Sequence, residues 1–477
     1  MSTNICTSNL TSGFIDLATY DEQEKYMYGG RYATAYFVRE TRKSTWFTQV
    51  PVVLSKCSGS PGFGSEWSVQ ISRAGDYLLQ TWLRVELPEV CITNGQTAGG
   101  IGDNELFIGC VAIRWTRNVG HALLRECCIT FNDLVAARFD NYHLDFWAAF
   151  TTPASKQIGY NNMIGNVGQL VGMGNVHALP ASVLNVPLPF FYTRDSGVAL
   201  PTAALPYNEM RINFSFRNWT DLLIMSNNAI LGAEQRILMV ATDLVGGAPT
   251  LNQCQVWAEY AIVSNDERSR MACAPRDILI EQVQTAPRQA YIPGNNAQQS
   301  FDIRFSHALK VYFFAVRNRT FAAEWSNYMT SSPVTAAGVT NFTPAGSADP
   351  ILQTSVIYEN TNRLAQMGSD FYSLVNPYYH APVIPLETGY HMYSYSLDFI
   401  CLDPMGSTNF GKLTNVSVVP EASAAAAAAA VGANVPGGVA GTGPPGADFN
   451  QTYEFIVTCV NNNIIRISGG ALGFPVL

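Results

Sequence analysis

The sequence predicts an all-β chain built as two tandem eight-stranded jelly-roll β-sandwiches with short helical insertions in the loops. Three observations support this prediction. The chain has 477 residues, which is too long for one ordinary core at a prior of roughly 150 residues per domain. Short runs of β-type residues recur between turn signals along the chain. The order of these runs in the first half is repeated about 230 residues later in the second half.

The cleanest strand signal lies near the middle of the chain. Apolar residues occupy every second position from Met210 to Phe216, with polar residues between them, so the two sets should lie on opposite faces of a strand. We therefore predict that residues 209–216 form the last strand of the first jelly roll. Earlier strands of the same sandwich are predicted at residues 46–54, 66–72, 77–87 and 123–131.

Two segments change from the strand period to a helical period. Asn132 and Asp133 can cap a helix, and residues 134–150 then carry apolar side chains three and four positions apart. Residues 359–374 show the same change in the second half. We therefore predict one helical insertion in each half of the chain.

The strand pattern restarts after a short helical turn that Thr220 can cap, and we interpret this turn as a connector. Further strands are predicted at residues 255–263, 277–284, 300–305, 309–316, 353–358, 391–399, 413–419 and 453–467. Residues 71–85 correspond to 302–316, and residues 129–138 correspond to 356–367, which suggests a duplicated domain. The predicted organisation is an N-terminal arm (1–30), a first jelly roll (31–217), a connector (218–227), a second jelly roll (228–468) and a C-terminal tail (469–477).

Two loops have a distinctive composition. Residues 420–449 are rich in Ala, Gly and Pro, and their seven consecutive alanines are too few to hold an isolated helix, which needs roughly 12–15 residues. We therefore expect a flexible surface loop. Residues 194–199 (RDSGVA) resemble an active-site loop only superficially, and we interpret them as a turn fixed by a local Arg194–Asp195 ion pair.

Composition excludes some functions and leaves others open. Charged residues make up 13% of the chain, against about a quarter in typical soluble domains, and the net charge is −8. This depletion fits either a protein that buries its surface against other chains or a large monomer with big cores. Without clustered cations we expect no direct nucleic-acid binding. No apolar run reaches the roughly 18 residues needed to span a bilayer, so we expect no transmembrane segment.

The chemistry-bearing residues form no catalytic pattern. The six histidines show no helical metal-site spacing, and the ten cysteines show no CxxC pair. A GxGxxG match at Gly441, Gly443 and Gly446 lies in the Pro-rich loop, where no helix follows it. We therefore predict no enzyme activity, no cofactor and no metal.

Aromatic and apolar residues outside the strands are the candidate contacts with other subunits. Two interpretations are open, because aromatics in long loops also form local cores, whereas Trp and Tyr are enriched at subunit contacts. The candidates are Phe14 and Ile15 in the arm, Trp147, Phe150 and Tyr378 in or after the helical insertions, and Phe474 in the apolar tail after Gly469–Gly470.

Long segments of the chain resemble one protein family. They include TSGFIDLAT (11–19), YGGRYATAYFVRE (28–40), FNDLVAARFD (131–140), PLPFFYTRDSGVALPTAALPYNEMRI (187–212), YENTNRLAQMGSDFYSLVNP (358–377) and NNNIIRISGGALGFPVL (461–477). By these residues the chain resembles the major capsid proteins of large nucleocytoplasmic double-stranded DNA viruses, most closely those of the iridoviruses. The main departures, at residues 91–109 and in the Ala-rich loop, look like surface insertions.

The resemblance implies a double jelly roll whose chains form homotrimers with a pseudo-hexagonal outline. It also implies contacts with neighbouring capsomers and minor capsid proteins, in an icosahedral virion shell around an inner membrane, assembled in the host cytoplasm. Two rivals from other classes are a β-sandwich carbohydrate hydrolase, which needs two carboxylates roughly 5–10 Å apart, and a secreted lectin-like protein.

Overall fold

The fold comes from a computed structural model that describes most of the chain. The described residues are 14–15, 17–19, 21–31, 33, 43–92, 111–172, 177–227, 235–237, 240–293, 299–320, 322–330, 349–431 and 451–474. The chain divides into two compact units, Met1–Trp46 and Phe47–Leu477. The first unit contains helix α1 (Glu22–Tyr28), whose N-terminus is fixed because the Asp21 N–H donates to Glu24 Oε2 at 3.3 Å.

The second unit begins with an eight-stranded sandwich. Its strands are β1 (Phe47–Val53), β2 (Glu66–Gln70), β3 (Tyr77–Leu87), β4 (Leu124–Phe131), β5 (Leu134–Phe139), β6 (Ser182–Pro187), β7 (Met210–Phe216) and β8 (Cys254–Val263). One sheet has the order β1–β8–β3–β6 and the other has the order β2–β7–β4–β5, with Ser55–Gly59 added beside β2. All neighbouring strands are antiparallel, and chain-distant strands are paired in the manner of a jelly roll.

A second sandwich repeats this arrangement. Its strands are β9 (Arg276–Thr285), β10 (Phe301–Asp302), β11 (Ala308–Asn318), β12 (Ile351–Tyr358), β13 (Thr361–Gly368), β14 (His391–Ser394), β15 (Val416–Ala422) and β16 (Tyr453–Ser468). The sheet orders are β9–β16–β11–β14 and β10–β15–β12–β13. Each strand of the second sandwich occupies the same place in its sheet as the strand of the first sandwich whose number is eight lower, so that β9 corresponds to β1 and β16 to β8. The prediction of two tandem eight-stranded jelly rolls is therefore confirmed. Short strands at Gln289–Tyr291, Thr408–Asn409 and Ala471–Gly473 extend the first of these sheets.

The first sandwich extends beyond the predicted connector. Strand β8, which follows residue 227, pairs with β1 and β3 of the first sandwich. Within the predicted connector only Trp219–Asp221 is helical, and Asn218 rather than Thr220 caps it by accepting the Trp219 N–H at 2.8 Å. Leu223–Asn227 is a strand that pairs with Val111–Trp115 and Gln235–Ile237. The segment is therefore part of a small separate sheet of three strands and not a free linker.

Both predicted helical insertions begin with a strand. Asn132 and Asp133 have φ of 48° and 66°, and Glu359 and Asn360 have φ of 46° and 64°. Two consecutive residues in the left-handed region make a tight hairpin turn. Strands β5 and β13 consequently fold back on β4 and β12, and helices begin only after them.

The helices of the second unit lie in the loops between strands. They are α2 (Val119–Leu123), α3 (Asn141–Thr151), α4 (Gln157–Ile164), α5 (Gly168–Val171), α6 (Asn265–Cys273), α7 (Asn376–His380) and α8 (Ala424–Val431), and a π-helical turn (Phe371–Val375) precedes α7. None of the helices in the described ranges is long and apolar enough to cross a membrane.

Helix α8 corrects the expectation that the alanine run would not be helical. Its N-terminus is capped by Ser423, whose Oγ accepts the Ala426 N–H at 3.2 Å. Ala426 and Ala429 are buried, and Ala426 packs in the core of the second sandwich. Tertiary packing thus stabilises a helix that would be too short in isolation. Residues 432–449, the rest of the predicted flexible loop, lie outside the described residues.

Three apolar clusters hold the second unit together. The first fills the first sandwich and extends to Ile465 and Leu472 near the C-terminus, and the second fills the second sandwich. The third, called the inter-sandwich cluster below, joins the two. It contains Tyr142, Phe146, Phe150, Val311, Phe313, Ala315, Tyr328, Tyr390, Met392, Phe399, Ile456 and Val460.

Candidate assembly surfaces

Helix α3 is the element that joins the two sandwiches. It begins because the Asp140 carboxylate accepts the His143 N–H at 3.0 Å. Tyr142, Phe146 and Phe150 follow at four-residue steps and therefore lie on one helical face. That face covers the outer side of the β9–β16–β11–β14 sheet, where Phe146 and Phe150 stack on Phe313 with ring centroids 5.9 and 5.3 Å apart.

Two predicted subunit contacts are used inside the chain. Phe150 is fully buried in the inter-sandwich cluster, so its side chain has no surface to offer another chain. Trp147 is half-buried, lies 5.9 Å from the Phe399 ring and has the Arg194 guanidinium 3.4 Å from its own ring centroid. For Phe150 the local-core interpretation is therefore correct, whereas Trp147 keeps a partly exposed surface.

Arg194 makes a contact that its sequence neighbours do not suggest. The turn expected at residues 194–199 is present as Ser196–Val198, but Arg194 Nε lies 3.1 Å from Glu281 Oε2 on β9. The same carboxylate accepts a hydrogen bond from Lys310 Nζ at 2.5 Å through Oε1. Glu281 and Lys310 are buried and the Arg194 side chain is only 9% exposed, so the predicted local ion pair with Asp195 is replaced by a largely buried pair between the two sandwiches.

The buried carboxylate of Asp145 on α3 is the centre of a second group of polar contacts between the sandwiches. The donors and neighbours of Asp145 are Asn118 Nδ2 (3.3 Å), His121 Nδ1 (2.6 Å), Ser326 Oγ (2.6 Å) and Tyr328 OH (2.9 Å). The Nε2 of His121 lies 2.6 Å from the Tyr160 hydroxyl.

The Asp145–His121–Tyr160 chain superficially resembles a catalytic relay, but its environment does not activate it. Burial raises the pKa of Tyr160, whereas an activated hydroxyl needs the opposite shift. The cavity that all three residues line measures about 110 Å³, far below the several hundred cubic ångströms typical of ligand sites, and the larger groove of about 720 Å³ that Tyr160 also lines contains neither His121 nor Asp145. We interpret this chain as a network that fixes the interface.

A second His–Asp–Ser group lies inside the second sandwich. The Nε2 of His391 is 2.8 Å from Ser369 Oγ and 3.0 Å from Asp349 Oδ2. In a nucleophilic triad the two imidazole nitrogens face different partners, whereas here one nitrogen faces both. All three residues are fully buried, so a substrate has no access. Within the part of the chain that the structure describes, no group of three or more His, Cys, Asp or Glu could hold a metal ion.

The other predicted contact residues fall into two groups. Tyr378 and its neighbour Tyr379 on α7 are 70% and 73% exposed, and their rings meet edge to face at 5.1 Å. Phe14 and Ile15 are also exposed. Phe474, in contrast, packs partly buried against the core of the first sandwich.

The C-terminal tail is docked on its own chain. Residues Ala471–Gly473 pair with β16, and the Leu472 N–H donates to Asn208 Oδ1 at 3.1 Å. Leu472 is buried in the first core. The tail therefore belongs to the folded unit as far as residue 474, and residues 475–477 lie outside the described part of the chain.

The first sandwich carries an aromatic face that was not predicted from the sequence. Trp82 on β3 and Trp257 on β8 are directly opposite each other, with ring centroids 6.2 Å apart and planes inclined by 10°. Both rings are half-buried on the outer side of their sheet. A groove of about 720 Å³ lies beside Trp82, and Trp147, Met163, Pro187 and Ile400 also line it. The sequence signal that could have predicted this face is the presence of apolar residues on both faces of the strand at residues 77–87.

Comparison with known proteins identifies the family. A family model described as the major capsid protein N-terminus matches residues 35–263, and one described as the large eukaryotic DNA virus major capsid protein matches residues 267–473. The major capsid protein of Costelytra zealandica iridescent virus is 63% identical over 479 residues, which cover 99% of this chain and 100% of the relative. That of Lymphocystis disease virus 1 is 48% identical over 477 residues, covering 100% of both chains.

The chain belongs to the iridovirus major capsid protein family. Solved structures agree with this family at the level of the fold. A quasi-atomic model of the PBCV-1 virus capsid aligns with a TM-score of 0.71 at 20% identity, covering 93% of this chain and 100% of that one. The Faustovirus major capsid protein aligns with a TM-score of 0.68 at 11% identity, covering 92% and 93%. As a major capsid protein, the chain is a component of a virion capsid.

Proposed function

We propose that this chain is the principal subunit of the icosahedral outer shell of a large double-stranded DNA virus, and that it acts by assembly and not by catalysis. The observation that supports this most directly is the pairing of two jelly rolls of identical strand order in one chain. Buried aromatic and ionic contacts join them, so each chain supplies two similar building blocks as one unit. Three such chains place six jelly rolls in a ring, which gives a pseudo-hexagonal capsomer.

The partners follow from this proposal. Identical chains bind one another head to tail in a closed homotrimer, and lateral contacts between neighbouring capsomers close the shell. The shell assembles in the host cytoplasm around an inner membrane. The chain makes no direct contact with nucleic acid, in keeping with its net charge of −8.

The first test is the size of the purified protein in solution. Light scattering is expected to give the mass of a trimer, and electron microscopy is expected to show hexagonal arrays at high concentration. A stable monomer that hydrolyses glycans would contradict the proposal in favour of the hydrolase. A monomer that only binds glycans would favour the lectin-like alternative.

We further propose that the N-terminal arm contacts minor capsid proteins or the inner membrane at the trimer base. Phe14 and Ile15 are exposed in the first unit, as expected of apolar residues that become buried only when a partner binds. Deletion of residues 1–20 should leave trimers intact but impair shell assembly. Virions of normal number and shape from this deletion would contradict the role of the arm.

The Ala/Gly segment after α8 is proposed to lie on the outer face of the shell. Its composition of Ala, Gly and Pro supports an exposed position. Treatment of intact particles with elastase, which cleaves after small residues, should cut the chain between residues 432 and 450. Protection of this segment on intact particles, with cutting in dissociated protein, would place it inside.

A further inference from the structure

The interface inside the chain consists of a helix that covers the outer face of a sheet. Helix α3 follows β5 of the first sandwich and covers the β9–β16–β11–β14 sheet of the second. The centre of the covered face is Phe313 on β11, which lies opposite Met392 on β14 and Thr458 on β16. All three side chains are fully buried beneath the aromatic face of α3.

The first sandwich has an equivalent face. In its β1–β8–β3–β6 sheet, Trp82 on β3 lies opposite Trp257 on β8 and Pro187 on β6. Strands β3, β8 and β6 take the places of β11, β16 and β14, and residues 71–85 correspond in sequence to residues 302–316, so Trp82 holds the position of Phe313. Here, however, the side chains are only half-buried, and the groove of about 720 Å³ lies beside Trp82. The site that α3 fills on the second sandwich is thus open on the first.

The second sandwich carries a helix equivalent to α3. The π-helical turn and α7 follow β13 as α3 follows β5. Val375, Tyr378 and Tyr379 are spaced three and four residues apart and therefore lie on one helical face. All three are exposed, whereas the corresponding aromatic face of α3 is buried. Within the part of the chain that the structure describes, this sheet face is thus open and the exposed rings of α7 are uncovered.

We propose that Tyr378 and Tyr379 of one copy bind the Trp82–Trp257 face of the next copy, as α3 covers the equivalent face within a chain. This inference rests on the proposed function and specifies its subunit contact. The contact is heterologous, because the helix and the sheet face are different surfaces, so it repeats from copy to copy. It closes into a ring of three when each repeat turns the chain by a third of a full rotation. Since the contacts within and between chains are equivalent, the first and second jelly rolls of the three chains alternate around that ring.

The first test removes the two exposed rings. A Tyr378→Ala/Tyr379→Ala variant should keep the fold of each chain, because both side chains are largely exposed. Aromatic anchors dominate subunit contacts, so the variant trimer should dissociate on dilution at a protein concentration at least roughly tenfold higher than the parent trimer. Tyr207→Ala, at a position that is 76% exposed on the first sandwich, is the matched control. Light scattering over a dilution series measures the difference, and equal dissociation of the two variants would overturn the inference.

The second test locates the contact directly. A photoreactive benzoylphenylalanine at position 379 should cross-link to the neighbouring copy, and mass spectrometry should find the link near Trp82 or Trp257. Mixing isotope-labelled and unlabelled chains distinguishes links between copies from links within one chain. A trimer whose links map to another surface would overturn this inference and leave the proposed function standing. A protein that stays monomeric at every concentration would overturn the proposed function itself.

Discussion

Glu281 is the carboxylate at the centre of one of the buried ionic contacts between the two sandwiches. It lies on β9 and is shared by Lys310, 2.5 Å from Oε1, and Arg194, 3.1 Å from Oε2. The side chains of Glu281 and Lys310 are 2% and 0% exposed. Solvent therefore cannot take over the role of the carboxylate when it is removed.

We predict that Glu281→Gln strongly destabilises the second unit. The substitution keeps the size of the side chain but leaves two buried cations without a negative partner. Removing one member of a buried ion pair costs about 3–5 kcal/mol, because the remaining charge stays out of water. We expect a loss of this size in the free energy of unfolding.

Asp277→Asn provides a matched control on the same strand. Asp277 pairs with Arg466 at 2.7 Å, but both side chains are at least half exposed, at 50% and 58%. An exposed pair of this kind contributes about 1 kcal/mol or less. Urea unfolding of both variants, followed by tryptophan fluorescence at pH 7, measures the two losses. If Glu281→Gln costs no more than Asp277→Asn, the reasoning from burial is refuted.

Three further predictions follow from burial. Burial lowers the pKa of His143 to about 3, against about 6.5 when unfolded, so only the unfolded chain gains this proton as the pH falls below 6.5. Stability should therefore drop by about 2 kcal/mol between pH 7 and pH 5, and urea midpoints of His143→Gln should fall less steeply. A thiol reagent should modify the exposed Cys57 and Cys273 before Cys127, because burial raises the pKa of the Cys127 thiol. Mass mapping that finds Cys127 modified equally fast would contradict this. Phe150→Ala should cost about 3–5 kcal/mol in urea unfolding by opening a cavity between the sandwiches, and a loss below 1 kcal/mol would contradict its placement.

The strands were predictable because their signal is local. Alternation from Met210 to Phe216 appears in the structure as alternating buried and half-buried residues, and the predicted strand at residues 77–87 has the observed bounds. The repeat at residues 129–138 and 356–367 was also correct in its position. The predicted secondary structure of the repeat was wrong, because each segment is a β-hairpin and not a strand followed by a helix.

The error at the hairpins has a physical cause. The sequence LVAARF (134–139) places apolar residues at spacings that suit both a helix and a strand buried on both sides. The deciding feature is the pair Asn132–Asp133, which was interpreted as a helix cap. Both residues adopt positive φ, a conformation that Asn and Asp tolerate, and this makes a hairpin turn. A cap would have required extended backbone at the first of them.

The contacts between the sandwiches could not be predicted, because their partners are far apart in sequence. Glu281 lies 87 positions after Arg194, and Phe313 lies more than 160 after Phe146. Nothing local marks Arg194 as the partner of a strand in the other half, and its neighbour Asp195 offers a simpler pair. Pairs of this kind become visible only when the positions of both sandwiches are known.

The two interpretations of the aromatic residues apply to different helices of the same type. Helix α3 and the helical segment ending in α7 both follow a β-hairpin, and both carry aromatic residues on one face. Their sequences therefore give the same signal. The fold separates them, because the sheet beneath Phe150 belongs to the same chain, whereas Tyr378 has no such sheet among the described residues. A local core and a subunit contact are thus the same helix-on-sheet packing, made once within the chain and, as we propose, once between chains.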